Sequence, residues 1–188
     1  IKKITPYTKA IMAVDIFGQS ADMDRLRCIC DEYNLKLIVD SAQSPGARYK
    51  GIFAGTLGDV GGYSLNYHKH IHTGEGGIIV TNDDNIAERL QLIRNHAEAV
   101  VLEKGVTDLT NMIGHNFRLG EIECAIGIEQ LNKLDGLVIS RQNAAERLSK
   151  GLSEITGLKT PQVNPHLTHV YYVYGMVIDV KKLGVSRD

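Results

Sequence analysis

Two short apolar runs separated by one amphipathic segment set the strongest limit on how this chain can fold. Residues 10–17 are apolar and partly β-branched, and residues 35–39 repeat this pattern just before Asp40. Such runs are typical of buried strands. Between them, apolar residues recur at steps of three and four after Asp22 or Asp24, which predicts a capped helix. A strand, helix, strand succession indicates a crossover, so we predict an α/β fold with a helix-covered, mostly parallel sheet.

The rest of the chain continues this alternation. Helical spacing predicts another helix that begins at Asp83 or Asp84. We expect its buried stripe to consist of Ile86, Leu90 and Ile93. The other predicted elements are strands at 60–65, 77–81 and 170–180, a long loop at 98–116, and two helices that carry the apolar residues of 122–134 and 137–155.

Charge and composition indicate a folded protein whose ligand is small. The 21 basic and 22 acidic residues leave no positive excess that would attract nucleic acid or an anionic membrane. The three cysteines form neither a disulfide framework nor a CxxC metal motif. The chain has no apolar run of about 18 residues and no hydrophobic signal core at its start. We therefore expect a cytoplasmic protein with no membrane or nucleic-acid partner.

Asp40 directly follows a predicted buried strand, at the edge where open α/β sheets bind their ligands. An aspartate at this position could equally cap a turn through Ser41 and Gln43. The residue by itself leaves both interpretations open.

Lys69 follows another predicted strand, within a polar loop. Most lysines in such loops are solvated surface residues. Here, however, Ser64 and Thr73 offer hydroxyl groups, and the glycine-rich stretch 74–77 allows a phosphate to approach the backbone. The neighbourhood of Lys69 is thus compatible with an anionic ligand.

Three histidines alternate around this lysine. In an extended strand, His68, His70 and His72 would share one face, which suggests a three-imidazole metal site. Three ligands from one strand rarely close a tetrahedral site, and Lys69 would add charge between them. A noncatalytic metal-binding or dimerisation module that uses these histidines is the alternative hypothesis. Asn116 precedes a predicted helix and could simply cap it.

Taken together, these stretches resemble the DegT/StrS-type nucleotide-sugar aminotransferases, pyridoxal-phosphate enzymes of the aspartate aminotransferase fold. The resemblance runs from about Thr5 to Asp179. The order and separation of its segments are similar to the family's, so their joint signal is stronger than any single motif. The segments that carry it are 18–24 (GQSADMD), 39–44 (VDSAQS), 55–59 (GTLGD), 64–77 (from Ser64 through Lys69 to EGG), 95–96 (NH), 114–118 (GHNFR) and 130–131 (QL).

The resemblance implies a role for each matching residue. Lys69 matches the lysine that forms a Schiff base with the cofactor and then moves a proton, and Asp40 matches the carboxylate that faces the pyridine nitrogen. Gln43 matches a residue beside the ring hydroxyl, and Ser64 matches a phosphate-binding hydroxyl. Asn116 matches a residue that reaches the cofactor phosphate of the other subunit in a homodimer.

The same resemblance implies the reaction and the domain organisation. We expect an amino group to be transferred, from a donor such as glutamate, to a nucleotide-linked keto sugar. Sugar dehydration, for which this family uses a histidine in place of the lysine, is a rival that Lys69 disfavours. Residues 1–135 would form part of the large, cofactor-binding domain of a fold-type I enzyme. Residues 136–188 would form a connecting helix and the start of the small domain, in a fragment that is incomplete for catalysis.

Overall fold

The computed structural model describes residues 1–98 and 112–184, so most of the predicted loop at 98–116 lies outside the described residues. Within these residues the backbone forms eight strands and four α-helices, joined by short 3-10 turns at Ile16–Gly18 and Ala54–Thr56. The strands are β1 (Ala10–Val14), β2 (Lys36–Asp40), β3 (Arg48–Tyr49), β4 (Ile52–Phe53), β5 (Val60–Ser64), β6 (Gly77–Val80), β7 (Leu158–Lys159) and β8 (Val177–Ile178). The helices are α1 (Met23–Glu32), α2 (Asp84–Arg94), α3 (Glu121–Leu152) and α4 (Val180–Leu183).

The main sheet has four strands in the order β1-β2-β5-β6. β1 pairs with β2 and β2 pairs with β5 in parallel, whereas β6 is antiparallel to β5. The predicted α/β fold with a mostly parallel sheet is therefore confirmed. Two-stranded antiparallel ladders, β3 with β4 and β7 with β8, lie outside this sheet.

Helix α1 covers one face of the sheet, as its periodicity predicts. Asp22 caps it by accepting a hydrogen bond from the backbone N–H of Arg25 at 3.4 Å. Met23 and Cys30 pack against Leu37 of β2, and all three side chains are buried. This burial of apolar surface stabilises the β1–α1–β2 crossover.

The opposite face of the sheet carries Asp40. Along β1 and β2 the register pairs Met12 with Ile38 and Val14 with Asp40, and it continues from Asp40 to Gly62 of β5. Side chains alternate along a strand, so these residues share one face. Met12 is 63% exposed, so solvent reaches this face among the described residues.

Three predicted elements differ from the structure. The first strand ends at Val14 and not at residue 17, because the chain turns at Phe17, which has a φ of 61°. The two predicted helices are one helix, α3, which continues through Gly136. Within the predicted strand 170–180, only Val177–Ile178 is extended into a ladder, since Tyr171 has a φ of 52°.

Helix α2 begins after Asp83, which caps two backbone N–H groups, as predicted. Its predicted buried stripe is wrong in detail. Leu92 is the buried residue, whereas the three residues expected to be buried are only half-buried and line open clefts on the surface.

Helix α3 crosses the predicted domain boundary at 135–136 without interruption. Leu134 and Val138, on either side of that boundary, pack in one cluster with Leu65, Ile71 and Val170. The division into two domains stays a prediction. Among the residues that the structure describes, no helix combines the length and the apolarity that crossing a lipid bilayer requires, α3 included.

Candidate active site

Asp40 ends β2 at the carboxyl edge of the sheet and is half-buried. Its Oδ1 accepts a hydrogen bond from the backbone N–H of Ala42 at 3.0 Å. Within the described residues its Oδ2 accepts no hydrogen bond and makes no ion pair. One oxygen of this carboxylate therefore remains able to bind a donor from a ligand.

Asp15 lies directly after β1 and was not identified from the sequence. It is completely buried, and its backbone N–H donates to the carbonyl of Asp40 at 2.9 Å. Its carboxylate accepts hydrogen bonds from Ala21 N at 2.9 Å, Ser41 Oγ at 2.6 Å and Ser44 Oγ at 3.4 Å. Burial raises the pKa of Asp15, and the nearby Asp40 charge acts in the same direction, while the three donors oppose both. Asp15 thus joins the turn after β1 to the turn that carries Asp40.

Gln43 lies in the turn after β2, close to the turn that follows β1. Its Oε1 accepts a hydrogen bond from the backbone N–H of Phe17 at 2.7 Å, which fixes the side-chain amide. The amide nitrogen donates no hydrogen bond within the described residues. Two donor hydrogens of Gln43 are therefore available to a ligand.

Ser64 ends β5, two positions after Gly62, the residue opposite Asp40. Because side chains alternate, Ser64 and Asp40 lie on the same face of the sheet at the same edge. The Ser64 Oγ accepts a hydrogen bond from Asn66 N at 3.2 Å and keeps its own hydrogen for another acceptor.

Lys69 lies in the loop between β5 and β6. The loop is closed by hydrogen bonds from Leu65 N to Gly76 O at 2.9 Å and from Thr73 N to Leu65 O at 3.0 Å. The Lys69 side chain is half-buried, and its amine lies 4.7 Å from the centre of the Tyr172 ring. Among the described residues the amine makes no hydrogen bond or ion pair, and it does not pair with Asp40.

The three histidines around Lys69 do not form a metal site. They lie in the loop and not in an extended strand, so the premise that they share one face is wrong. His68 is exposed, whereas His70 is buried and its Nε2 is 2.8 Å from the carbonyl oxygen of Val170. Burial lowers the pKa of His70, which favours the neutral ring. In the described part of the chain, no group of three or more His, Cys, Asp or Glu side chains could hold a metal ion.

Asn116 is exposed and precedes α3 by too many positions to cap it, because Gly120 is the N-cap. Its backbone forms an isolated antiparallel bridge with Asn95. Arg118 Nη1 donates to the Asn95 side-chain oxygen at 2.8 Å, which holds this segment against the end of α2.

A cleft with a volume of about 1040 Å³ lies between β6 and α2. Its lining is mostly apolar, and it contains none of the four predicted site residues Asp40, Gln43, Ser64 and Lys69. The groups with free hydrogen-bonding capacity lie instead at the carboxyl edge of β2 and β5. The available hydrogen-bonding groups therefore favour that edge over the cleft between β6 and α2 as the ligand site.

The sequence matches the model of the DegT/DnrJ/EryC1/StrS aminotransferase family over residues 1–188. This chain belongs to that family. The match confirms the resemblance that the motifs carry.

Relatives in the DegT/DnrJ/EryC1/StrS family are longer than this chain. A dTDP-3-amino-3,4,6-trideoxy-alpha-D-glucose transaminase from Micromonospora megalomicea subsp. nigra is 39% identical over 175 residues, which are 91% of this chain and 46% of the relative. A GDP-perosamine synthase from Caulobacter vibrioides is 35% identical over 189 residues, which are 98% of this chain and 49% of the relative. The chain thus spans about half the length of these relatives.

The chain is similar in fold to part of a solved aminotransferase structure. The aminotransferase TlmJ from Streptoalloteichus hindustanus superposes with a TM-score of 0.87 at 30% identity, over 96% of this chain and 48% of that chain. Together with the sheet order, this likeness confirms the predicted class, part of the large domain of a fold-type I enzyme.

The residues at the sheet edge fit pyridoxal 5'-phosphate, the cofactor that the family implies. The free oxygen of Asp40 suits a protonated ring nitrogen, and the free amide hydrogens of Gln43 suit a ring oxygen. The Ser64 hydroxyl can donate to a phosphate, and the unpaired amine of Lys69 can react with an aldehyde. The ring nitrogen, the ring oxygen, the phosphate and the aldehyde therefore each have a chemically suitable group among the described residues.

Proposed function

We propose that this chain is part of a pyridoxal-phosphate-dependent aminotransferase that transfers an amino group, from a donor such as glutamate, to a nucleotide-linked keto sugar. The observation that carries the proposal is the set of unused polar groups at one sheet edge, on Asp40, Gln43, Ser64 and Lys69. When bound, pyridoxal phosphate supplies an aldehyde and an electron-withdrawing ring that stabilises negative charge on the reacting carbon.

Asp40 holds a proton on the ring nitrogen through its free Oδ2. Its Oδ1 is fixed by Ala42 N, and its backbone is fixed by the ladder with β1 and β5, so the carboxylate does not have to reorganise. An anion at this position favours the protonated ring over the neutral one.

Lys69 would hold the cofactor at its aldehyde group through Nζ, with the aldehyde oxygen leaving as water, and its free amine would move a proton from the donor to the acceptor. The loop that carries it follows the carboxyl end of β5 and is closed by backbone hydrogen bonds from Leu65 N to Gly76 O and from Thr73 N to Leu65 O, which supports this role. Gln43 orients the ring through its amide nitrogen, while its oxygen stays bonded to Phe17 N.

Ser64 binds the phosphate together with backbone groups of the glycine-rich stretch 74–77. Gly74 leaves room for a phosphate close to the backbone, because no atom lies within 4 Å of the position of its Cβ. We propose that Asn116 of a second copy completes this phosphate site, in a homodimer. The exposure of Asn116 supports such a role, since its side chain is accessible to a neighbouring chain.

The proposed substrate class rests on the relatives. Those named above include a transaminase for a dTDP-linked amino sugar and a synthase of GDP-perosamine, and both names describe nucleotide-linked sugars. Lys69 favours amino transfer over dehydration, because an amine is needed to bond the aldehyde. Since the chain spans about half of each relative, the activity is that of the full-length protein.

The first test is an absorbance titration of the full-length gene product with pyridoxal phosphate. We expect a saturable change in the visible spectrum, and we expect Lys69→Ala to abolish it because the proposed Schiff base needs this amine. Addition of glutamate should then shift the spectrum of the wild-type protein only. Lys50→Ala, which removes an exposed lysine paired with Asp24, is the matched control. A saturable change in Lys69→Ala equal to that of the wild type would sink the proposal.

A further inference from the structure

We propose that Tyr172 is a positioning residue for Lys69, and that its ring face holds the amine whenever that amine is not bonded to another group. The catalytic meaning of this inference rests on the function proposed for Lys69. The starting observation is that the amine lies 4.7 Å from the centre of the Tyr172 ring. This distance lies within the range in which a cation is attracted to the negative face of an aromatic ring.

No other described residue offers the amine a comparable partner. Within residues 1–98 and 112–184, Lys69 Nζ makes no hydrogen bond and no ion pair, although the side chain is half-buried. A flexible four-carbon chain with a free amine would otherwise sample many rotamers. The ring of Tyr172 therefore selects among positions that the loop alone would allow.

The backbone next to Tyr172 is fixed by the turn after β1. Val170 N donates to Gly18 O at 2.8 Å, and Val173 N donates to Phe17 O at 3.3 Å. Gly18 has a φ of +106°, and a Cβ at this position would lie 2.9 Å from Tyr172 N. The close approach of these two segments thus depends on glycine.

The same segment is also fixed by the lysine loop and by α3. His70 Nε2 is 2.8 Å from Val170 O, and Arg141 Nη1 donates to Tyr171 O at 3.1 Å. The ring of Tyr172 is consequently held relative to the loop that carries Lys69. This arrangement suits a residue that defines where the amine returns after each turnover.

The test weakens the negative face of the ring at position 172 while keeping an aromatic ring there. Three full-length proteins are compared: wild type, Tyr172→Phe, and a variant with trifluorophenylalanine at position 172, whose fluorines weaken the negative ring face. Each protein, free of cofactor, is treated with a neutral acylating reagent, and the modification rate of Lys69 is read by peptide mass mapping. The exposed Lys133 is the internal reference.

We expect Tyr172→Phe to behave as wild type and the fluorinated variant to react about two- to fivefold faster at Lys69, because a weakened ring face holds the amine less tightly and leaves it more accessible to the reagent. Lys133 should react at the same rate in all three proteins. The matched control places trifluorophenylalanine at Tyr171, a ring that stacks on His169 instead. We expect this control to leave the Lys69 rate unchanged.

Equal Lys69 rates in the Phe and fluorinated variants at position 172, or an equal acceleration in the Tyr171 control, would overturn the inference. A failure of the proposed function is seen separately, in the absorbance titration with pyridoxal phosphate. The labelling experiment needs no cofactor, so each idea can fail while the other stands.

Discussion

Two neighbouring carboxylates at the sheet edge have opposite environments. Asp15 is completely buried and accepts three hydrogen bonds, whereas Asp40 is half-buried and keeps one oxygen free. A carboxylate whose hydrogen bonds are already made contributes to local structure, and one with a free oxygen can bind a ligand. This difference supports Asp40 as the residue that faces the cofactor.

Single residues could be predicted where their position in a pattern is informative. Asp40 and Lys69 follow runs that the sequence itself predicts as strands, and Ser64 lies near the end of one. The function of Asp15 could not be recognised, because an aspartate after a strand is common and its partners Ser41 and Ser44 lie on another segment. The contact between Tyr172 and Lys69 likewise requires the folded chain.

The buried His70 predicts that the stability of the fold depends on pH. Burial lowers the pKa of His70 from its ordinary value of 6.5, with the charges of Arg141 and Lys69 acting in the same direction and the hydrogen bond to Val170 opposing them. The unfolded chain therefore takes up a proton at a higher pH than the folded chain does. The stabilisation is complete above about pH 6.5 and is lost as the pH falls through the lower, folded value.

We expect the free energy of unfolding of the wild type to decrease between about pH 7 and pH 5 more steeply than that of His70→Gln. Glutamine can still donate to Val170 O but does not titrate. Denaturant unfolding at several pH values measures both slopes. Parallel curves would mean that His70 does not couple protonation to stability.

At the scale of elements, α3 shows why two helices were predicted from the sequence where one exists. Gly136 and Asp135 interrupt the apolar pattern, which is the usual sign of a helix end. An interior glycine costs only about 1 kcal/mol, however. Leu134 and Val138 bury their side chains on either side of it, and this packing offsets the cost.

The turn at Ile16–Gly18 is the element whose geometry the site depends on most. We expect Gly18→Ala to destabilise the protein by about 2 kcal/mol or more, because its φ is +106° and a Cβ would lie 2.9 Å from both Tyr172 N and Val170 Cγ2. Gly51→Ala is the matched control, since Gly51 also has a positive φ, +84°, but no atom within 4 Å of a Cβ. We expect this control to cost about 1 kcal/mol from backbone strain alone.

Thermal and denaturant unfolding of both glycine variants measure the difference. A similar loss of stability in the two proteins would show that the close approach to Tyr172 and Val170 has little energetic importance. The turn would then contribute little to fixing the Tyr172 segment.

For the whole molecule, the exposed Asn116 leads to a prediction about how two copies of the chain form complete sites. Asn116 is proposed to act on the phosphate of a neighbouring copy. A mixed dimer, made of one Lys69→Ala chain and one Asn116→Ala chain, would then contain one site in which both residues are native. We expect each variant alone to be inactive, and a refolded equal mixture to recover about a quarter of the wild-type activity. Full-length protein is needed, and amino transfer to the keto sugar is the measurement.

If Asn116 acts within its own chain, no site in the mixed dimer is complete and mixing restores nothing. Gln91→Ala mixed with Lys69→Ala serves as a control for refolding, because Gln91 lies on α2 outside the proposed site. The mixture of Gln91→Ala with Lys69→Ala should show only the activity of the sites that keep Lys69.

The sequence by itself determined the crossover unit, the parallel pairing and the family, because hydrophobic periodicity and the spacing of short motifs are local properties of the chain. It also placed Asp40 and Lys69 after strands. Only the tertiary structure decided that Asp15 is buried beside Asp40, that His70 bonds to Val170, and that Tyr172 lies over the lysine. Val170 follows His70 by 100 positions. Contacts over such separations depend on how whole elements pack, which no local pattern encodes.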